Sequence, residues 1–272
     1  MPRADETLFP PESVIRRVMV KPIVGLGGLR SLLLQALHPR AAAAEAQIAG
    51  YKGDPVERLM TIVQYVWATT HGSRETAQAA GARLRAVHSR LKGRDPQTGE
   101  EFPVDAPDLL LWVHMAEVES YLHVAMRSGA VSLSAAEKDC FYQEQRVRAE
   151  LVGLRAAEVP GSVREVEDYF TGMRPQLRMT PEAREAASFI AFPRAEHAPG
   201  LSVAHPPWAA TAAMAYALLP AWARQMYGFA GPAGTDTAVT AGVSLLQSVL
   251  DTVPARVWHT VMSQLGSGYA KP

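Results

Sequence analysis

The sequence predicts an all-α fold, arranged as one multi-helix domain over residues 1–272 with its core at about 14–265. Three observations lead to that expectation. No long stretch alternates apolar and polar residues, and no Asn-Gly or Asp-Gly hairpin turn occurs. Helix start and stop signals recur along the whole chain. Between them the apolar residues fall at helical spacing.

Taken in order, Pro11 suits the first turn of a helix running to about Lys21. Gly25–Gly28 reads as a break, followed by a buried helix in RSLLLQAL. That helix is expected to stop near His38, because Pro39 disfavours a helical residue before it. Asp54-Pro55 opens the next helix with an N-cap and a proline at the first helical position. Leu59, Ile62, Val63 and Val66 give it an apolar face. His71-Gly72-Ser73 ends it, and Ser73 caps a helix through Leu91, with the capping box incomplete because Thr76 stands where the acid belongs.

Gly93 to Pro107 collects proline, glycine and acids and reads as a loop. Asp105 is expected to cap a long helix, DLLLWVHMAEVESYLHVAMRSG. Ser134 and Glu137 form a capping box for the next. Further helices are expected at Ser162–Met173, Pro181–Ala191, Trp208–Tyr227, Thr237–Thr252 and Pro254–Leu265. Pro193 to Pro207 is the one hinge-like stretch, and no repeat is present.

The chain carries 27 basic and 27 acidic side chains, so its formal charge is zero. That argues against nucleic acid or an anionic membrane surface as partner, since both call for a positive excess. A single cysteine, Cys140, excludes an internal disulfide and a multi-cysteine zinc site; it is expected to be a packing residue. The N-terminus shows no charged start followed by an apolar run, which points to a cytoplasmic protein. The apolar stretch between His205 and Arg224 holds three prolines and is rich in alanine, so a buried helix is expected there in preference to a membrane span. The apolar Thr237–Met262 region suits either core or a homodimer interface.

No P-loop, dinucleotide fingerprint, nucleophile elbow or HExxH helix occurs. GLGGLR follows no strand and reads as a flexible lead into a helix. The histidines are left as the chemical candidates. His114, in LLLWVHM, sits mid-helix in apolar surroundings, where both ring nitrogens need partners. It suits either a satisfied core histidine or a metal ligand. Glu117, at i+3, shares its side of the helix, as in half of a di-iron carboxylate site, but no Glu-x-x-His set accompanies it. His38, at a helix end, suits capping of free carbonyls or ligation. His88 reads as surface, His123 points to another sector than His114, and His71, His197, His205 and His259 are assigned no chemistry. Arg58 and Thr61 share a helix face with Ile62 and Tyr65. Arg58 suits a surface ion pair with Asp54 or an inward fork for a cofactor carboxylate.

Three runs carry a resemblance: GLGGLRSLLLQALHPRAAAA, DPVERLMTIVQYVWATTHGSRETA and AVHSRLKGRDPQTGEEFPVDAPDLLLWVHMAEVESYL. With MRPQLRMTPEAREAASFI and LLPAWARQMYGF, they resemble the MpaB-type oxygenase family, which shares its catalytic domain with a rubber oxygenase. The resemblance covers about residues 14–265. It implies an all-helical, globin-like core holding haem b, with His114 as the proximal iron ligand and Arg58 on a propionate. Trp112 and Glu117 would lie near the haem, Thr61 and Tyr65 on its distal side, and His38 would be the reserve ligand. Thr61 stands where the family has a basic residue and Ile62 where it has threonine, so no distal lysine ligand is expected. Glu117 stands where an apolar residue is expected. The implied reaction uses dioxygen or peroxide on a small apolar organic substrate. Non-catalytic haem or small-ligand binding, and non-haem iron held by His114 and Glu117, are the alternatives.

Overall fold

In a computed structural model, which describes residues 7–49, 55–191, 205–254, 256–258, 260 and 264, helices follow one another along the chain. They are α1 (Val14–Met19), α2 (Val24–Ala36), α3 (Pro39–Ala44), α4 (Pro55–His71) and α5 (Arg74–His88). A short antiparallel hairpin of β1 (Lys92–Arg94) and β2 (Glu101–Pro103) comes next. Then come α6 (Pro107–Arg127), α7 (Ala135–Val152), α8 (Val163–Met173), α9 (Pro181–Ala191), α10 (His205–Ala217), α11 (Ala221–Met226) and α12 (Thr235–Leu250). The fold is all-α, as the sequence predicts.

Most helix starts have the chemistry expected of them. Ser73 Oγ accepts from the Thr76 amide at 3.0 Å. Ser134 and Glu137 complete a capping box, the carboxylate accepting from the Ser134 amide at 2.8 Å. Asp105 does not cap α6: the helix begins at Pro107 with Ala106 as N-cap and no side-chain cap bond. A proline at the first helical position has no amide to satisfy there, so the cap is dispensable. Helix α1 is held from outside. The Glu144 carboxylate accepts from the Val14 and Ile15 amides at 3.3 and 2.6 Å, placing negative charge at the helix N-terminus.

The glycines of 25–28 do not break the chain; α2 runs straight through them. The reason is packing. A Cβ on Gly27 would lie 2.9 Å from the Ser120 carbonyl oxygen, so the glycine lets α2 and α6 approach backbone to backbone. These two helices make the most extensive contact in the fold. Arg30 locks the contact. It is 1% exposed, and it donates to both Glu119 carboxylate oxygens at 2.5 and 3.2 Å, to Ser120 Oγ at 2.6 Å and to the Leu218 carbonyl at 2.9 Å.

Three further departures have local causes. The Gly93–Pro107 loop contains the β1–β2 hairpin, where the Phe102 ring lies directly over Gly93 and leaves no room for a Cβ. The expected single helix Trp208–Tyr227 is two, α10 and α11, because Pro220 cannot continue the first and instead precedes the second. Arg224 closes that break by donating to the Ala217 and Leu219 carbonyls at 2.7 and 2.8 Å. Helix α12 buries Val243 and Gln247 but leaves Leu245 and Val249 in solvent. Cys140 packs half-buried at the edge of the core. The expected hinge lies largely outside the described residues; of the helix expected after Pro254, residues 256–258, 260 and 264 are described and are helical. Among those residues, no helix is long and apolar enough to cross a membrane.

Removing Arg30 strands the Glu119 carboxylate and the Leu218 carbonyl. Arg30→Ala should lower the unfolding free energy by about 3–5 kcal/mol, read as a shift in urea midpoint. Gly27→Ala should cost about 1–3 kcal/mol through the forced separation of α2 and α6.

Candidate active site

Helix α6 is apolar on nearly all sides, so it is buried and turns different residues toward different neighbours. Trp112 faces the C-terminal end of α2: its indole donates to the Gln35 carbonyl at 3.2 Å and its ring meets Phe170 edge-on. His38 lies nearby, its ring centroid 6.2 Å from that of Trp112. His38 does not cap the end of α2. It is the N-cap of α3, with Nδ1 accepting from the Ala41 amide at 3.4 Å. Helix α2 stops at Ala36 and Pro39 starts a new helix, so the free groups beside the ring are amides and not carbonyls. Burial, with Arg40 close by, pushes the His38 pKa down, which suits an acceptor.

His114 turns toward α7. It is 5% exposed, and its Nε2 is buried with no hydrogen-bond partner. Burial, reinforced by the Arg148 guanidinium, pulls its pKa down to about 3, opposed by a hydrogen bond to the Gln145 backbone. Arg148 is itself buried. Its Nη1 donates to Gln145 Oε1 at 3.0 Å, while its Nε and the Gln145 Nε2 have no partner. Three orphaned nitrogens, on His114, Gln145 and Arg148, thus gather between α6 and α7.

Beside this cluster, α1, α2, α4 and α6, with Trp258, line an open-mouthed apolar cavity of about 150 Å³. Leu32, Leu59, Ile62, Val63 and Val66 contribute to its walls. Its polar lining is Lys21, Ser31, Thr70, His71, Glu117 and Tyr121. Burial raises the pKa of Glu117, and Arg148 opposes the rise. Burial, then the neighbouring Glu117, raises that of Tyr121. His71 stacks on Trp67 with ring centroids 4.1 Å apart.

Of the residues expected at the site, Glu117 lines the cavity. His114 does not line it, although it lies within one turn on the same side of α6 and shares Arg148 with Glu117 as a neighbour. Among the described residues, no three His, Cys, Asp or Glu side chains come together as a metal site. His38 and Trp112 pack together elsewhere and do not line the cavity. Helix α4 presents two faces at about 100° per residue. Leu59, Ile62, Val66 and Thr70 look into the cavity. Thr61, exposed, and Tyr65, half-buried, lie on the other face. Arg58 belongs by spacing to that second face; its side chain lies outside the described residues.

Sequence reading passed over Arg148, Gln145, Thr70 and His71. A signal for the first two exists. Phe141, Gln145, Arg148 and Ala149 repeat at the spacing of one helix face, and all are buried, so both polar residues occupy core positions. The charged run QEQRVRAE masks this. Thr70 likewise continues the Leu59–Val66 stripe one turn on.

An apolar pocket with a few polar groups in its wall has the form that small-molecule sites take. Residues 16–249 match the family described as ER-bound oxygenase mpaB/B'/Rubber oxygenase, catalytic domain, and the chain belongs to that oxygenase family. No curated protein and no solved structure matches the chain.

Two buried imidazoles make folding pH-dependent. His114 and His123 have pKa values drawn down from 6.5 to about 3 and about 4, in each case chiefly by burial. The unfolded chain therefore binds protons that the folded one refuses. Stability is full above pH 6.5 and declines as pH falls through about 4 toward 3. Thermal midpoints should fall across that window, and His123→Gln should flatten part of the slope.

Proposed function

We propose that this chain is a haem-dependent oxygenase acting on a small apolar organic molecule, with the α1–α2–α4–α6 cavity as its substrate chamber. The observation that carries the cofactor reading is His114 Nε2. A buried ring nitrogen without a partner is costly unless something takes its lone pair. The ring stays neutral to about pH 3, so the lone pair is available across the working range.

Arg148 supports the same reading. Its guanidinium is buried beside His114 with Nε unpartnered, and a propionate is an anion whose geometry matches that fork. On this reading His114 holds the iron and Arg148 a propionate. Thr61 and Tyr65, and Arg58 by spacing, lie on the face of α4 turned from the cavity, so no role in the chamber is assigned to them. Haem b, when bound, supplies an iron centre that activates dioxygen or peroxide. The protein's own contribution is to hold the imidazole neutral, and to keep an apolar substrate between apolar walls with Glu117 among them.

The visible spectrum of protein expressed with a haem precursor tests this. A Soret band is expected, lost in His114→Ala and kept in His71→Ala, with haem released more readily by Arg148→Met. A protein without a Soret band overturns the cofactor, and loss in His71→Ala alone overturns the choice of ligand.

A further inference from the structure

The cavity walls are not uniformly indifferent to what fills them. Thr70 is 2% exposed, it lines the cavity, and its hydroxyl is buried with no hydrogen-bond partner. That is unusual for a helical threonine, whose hydroxyl commonly bonds a carbonyl one turn back. The adjacent Thr69 does so, donating to the Tyr65 carbonyl at 2.9 Å. Thr70 Oγ1 instead lacks a partner, on a residue of the cavity wall. Glu117 contributes a carboxyl to the same space from α6, and Tyr121, one turn along α6, lines it as well. Ser31, another hydroxyl of the lining, is already engaged with the Gly28 carbonyl at 2.7 Å.

We propose that the cavity binds a neutral apolar alcohol, whose hydroxyl donates to Glu117 and accepts from Thr70. The chemistry selects this class. A hydroxyl is the smallest group that both gives and takes a hydrogen bond, so it satisfies a carboxylate and a threonine hydroxyl together. An ether or hydrocarbon leaves the Glu117 acceptor without a donor. A carboxylate ligand meets Glu117 at close range in a low-dielectric space, where like charges repel strongly. An ammonium is disfavoured by the two cations around the site, Arg148 behind Glu117 and Lys21 in the lining. The apolar walls require the rest of the molecule to be hydrocarbon. This rests on the cavity being the substrate chamber, and it names the substrate class of that chamber.

Calorimetric titration of the purified holoprotein with decan-1-ol, its methyl ether, decanoate and decylamine tests the proposal. Decan-1-ol should bind at least about tenfold more tightly than the ether, the difference expected of hydrogen bonds that the ether cannot make. Thr70→Val and Glu117→Leu should each weaken decan-1-ol by about that factor and leave the ether unchanged. Equal binding of alcohol and ether, tightest binding of decanoate or decylamine, or no binding of any of the four overturns the proposal, and the unmodified protein alone suffices to show each. The cofactor reading fails separately: protein that prefers the alcohol but lacks a Soret band loses the haem and keeps the alcohol site. A haem-loaded protein with no such preference does the reverse.

Discussion

The close approach of α2 and α6 is the constraint on which the rest of the molecule depends. Gly27 lies against the Ser120 backbone, and three residues further along α2 the Arg30 guanidinium reaches Glu119 and Ser120. Contact and ion pair together fix the rotation of α6 about its axis. Once Ser120 faces α2, about 100° per residue decides where every other α6 side chain must point. Glu117, Tyr121 and His114 fall on one side of that contact, and Trp112 falls on the other. The cavity and the His114–Arg148 cluster are therefore neighbours by helical geometry, whereas Trp112 and His38 are carried away from them despite being close in sequence. The same Arg30 donates to the Leu218 carbonyl, so the turn between α10 and α11 is tied to the same point.

The fold was largely legible because its punctuation is local. Ser73, Ser134 and Pro39 act within one turn of themselves, and the structure follows them. Misreadings arise where a residue serves a distant partner. The glycines of α2 have poor helix propensity in isolation, but Gly27 answers to a backbone over ninety residues away, which no local window contains. Gly93 is similar, reading as loop while making room for Phe102 across a hairpin. The position of His38 in the sequence suggests a role for the helix it follows, whereas its ring serves the helix it precedes.

The candidate site was legible only in part, for a related reason. The burial of His114 follows from its apolar neighbours on α6. Its partners do not, because Arg148 and Gln145 sit in a stretch whose charge resembles a solvated face. Only the repeat with Phe141 and Ala149 betrays them. Residue type and residue position disagree at these two places, and such disagreement is what a binding site imposes on a helix otherwise designed for packing. Family membership extends over residues 16–249 and so includes both helices, but the pairing of α6 with α7 had to come from the fold.

The distribution of unsatisfied groups argues that the cluster and the cavity have different occupants. His114, Gln145 and Arg148 each carry an unpartnered nitrogen, with Arg148 beside His114, so this cluster joins a neutral lone pair to a fixed positive charge. The cavity offers a free hydroxyl and a carboxyl in hydrocarbon walls, which calls for a small neutral donor and acceptor. One ligand does not answer both descriptions. Glu117 lies between them, open to the cavity and influenced by Arg148 behind it. Its charge offsets that of Arg148 when the space beyond is empty. A group that neutralises Arg148 directly leaves Glu117 with less opposing charge, and burial then favours its protonated form more strongly. On the proposed reading, Glu117 is the one group common to both sites.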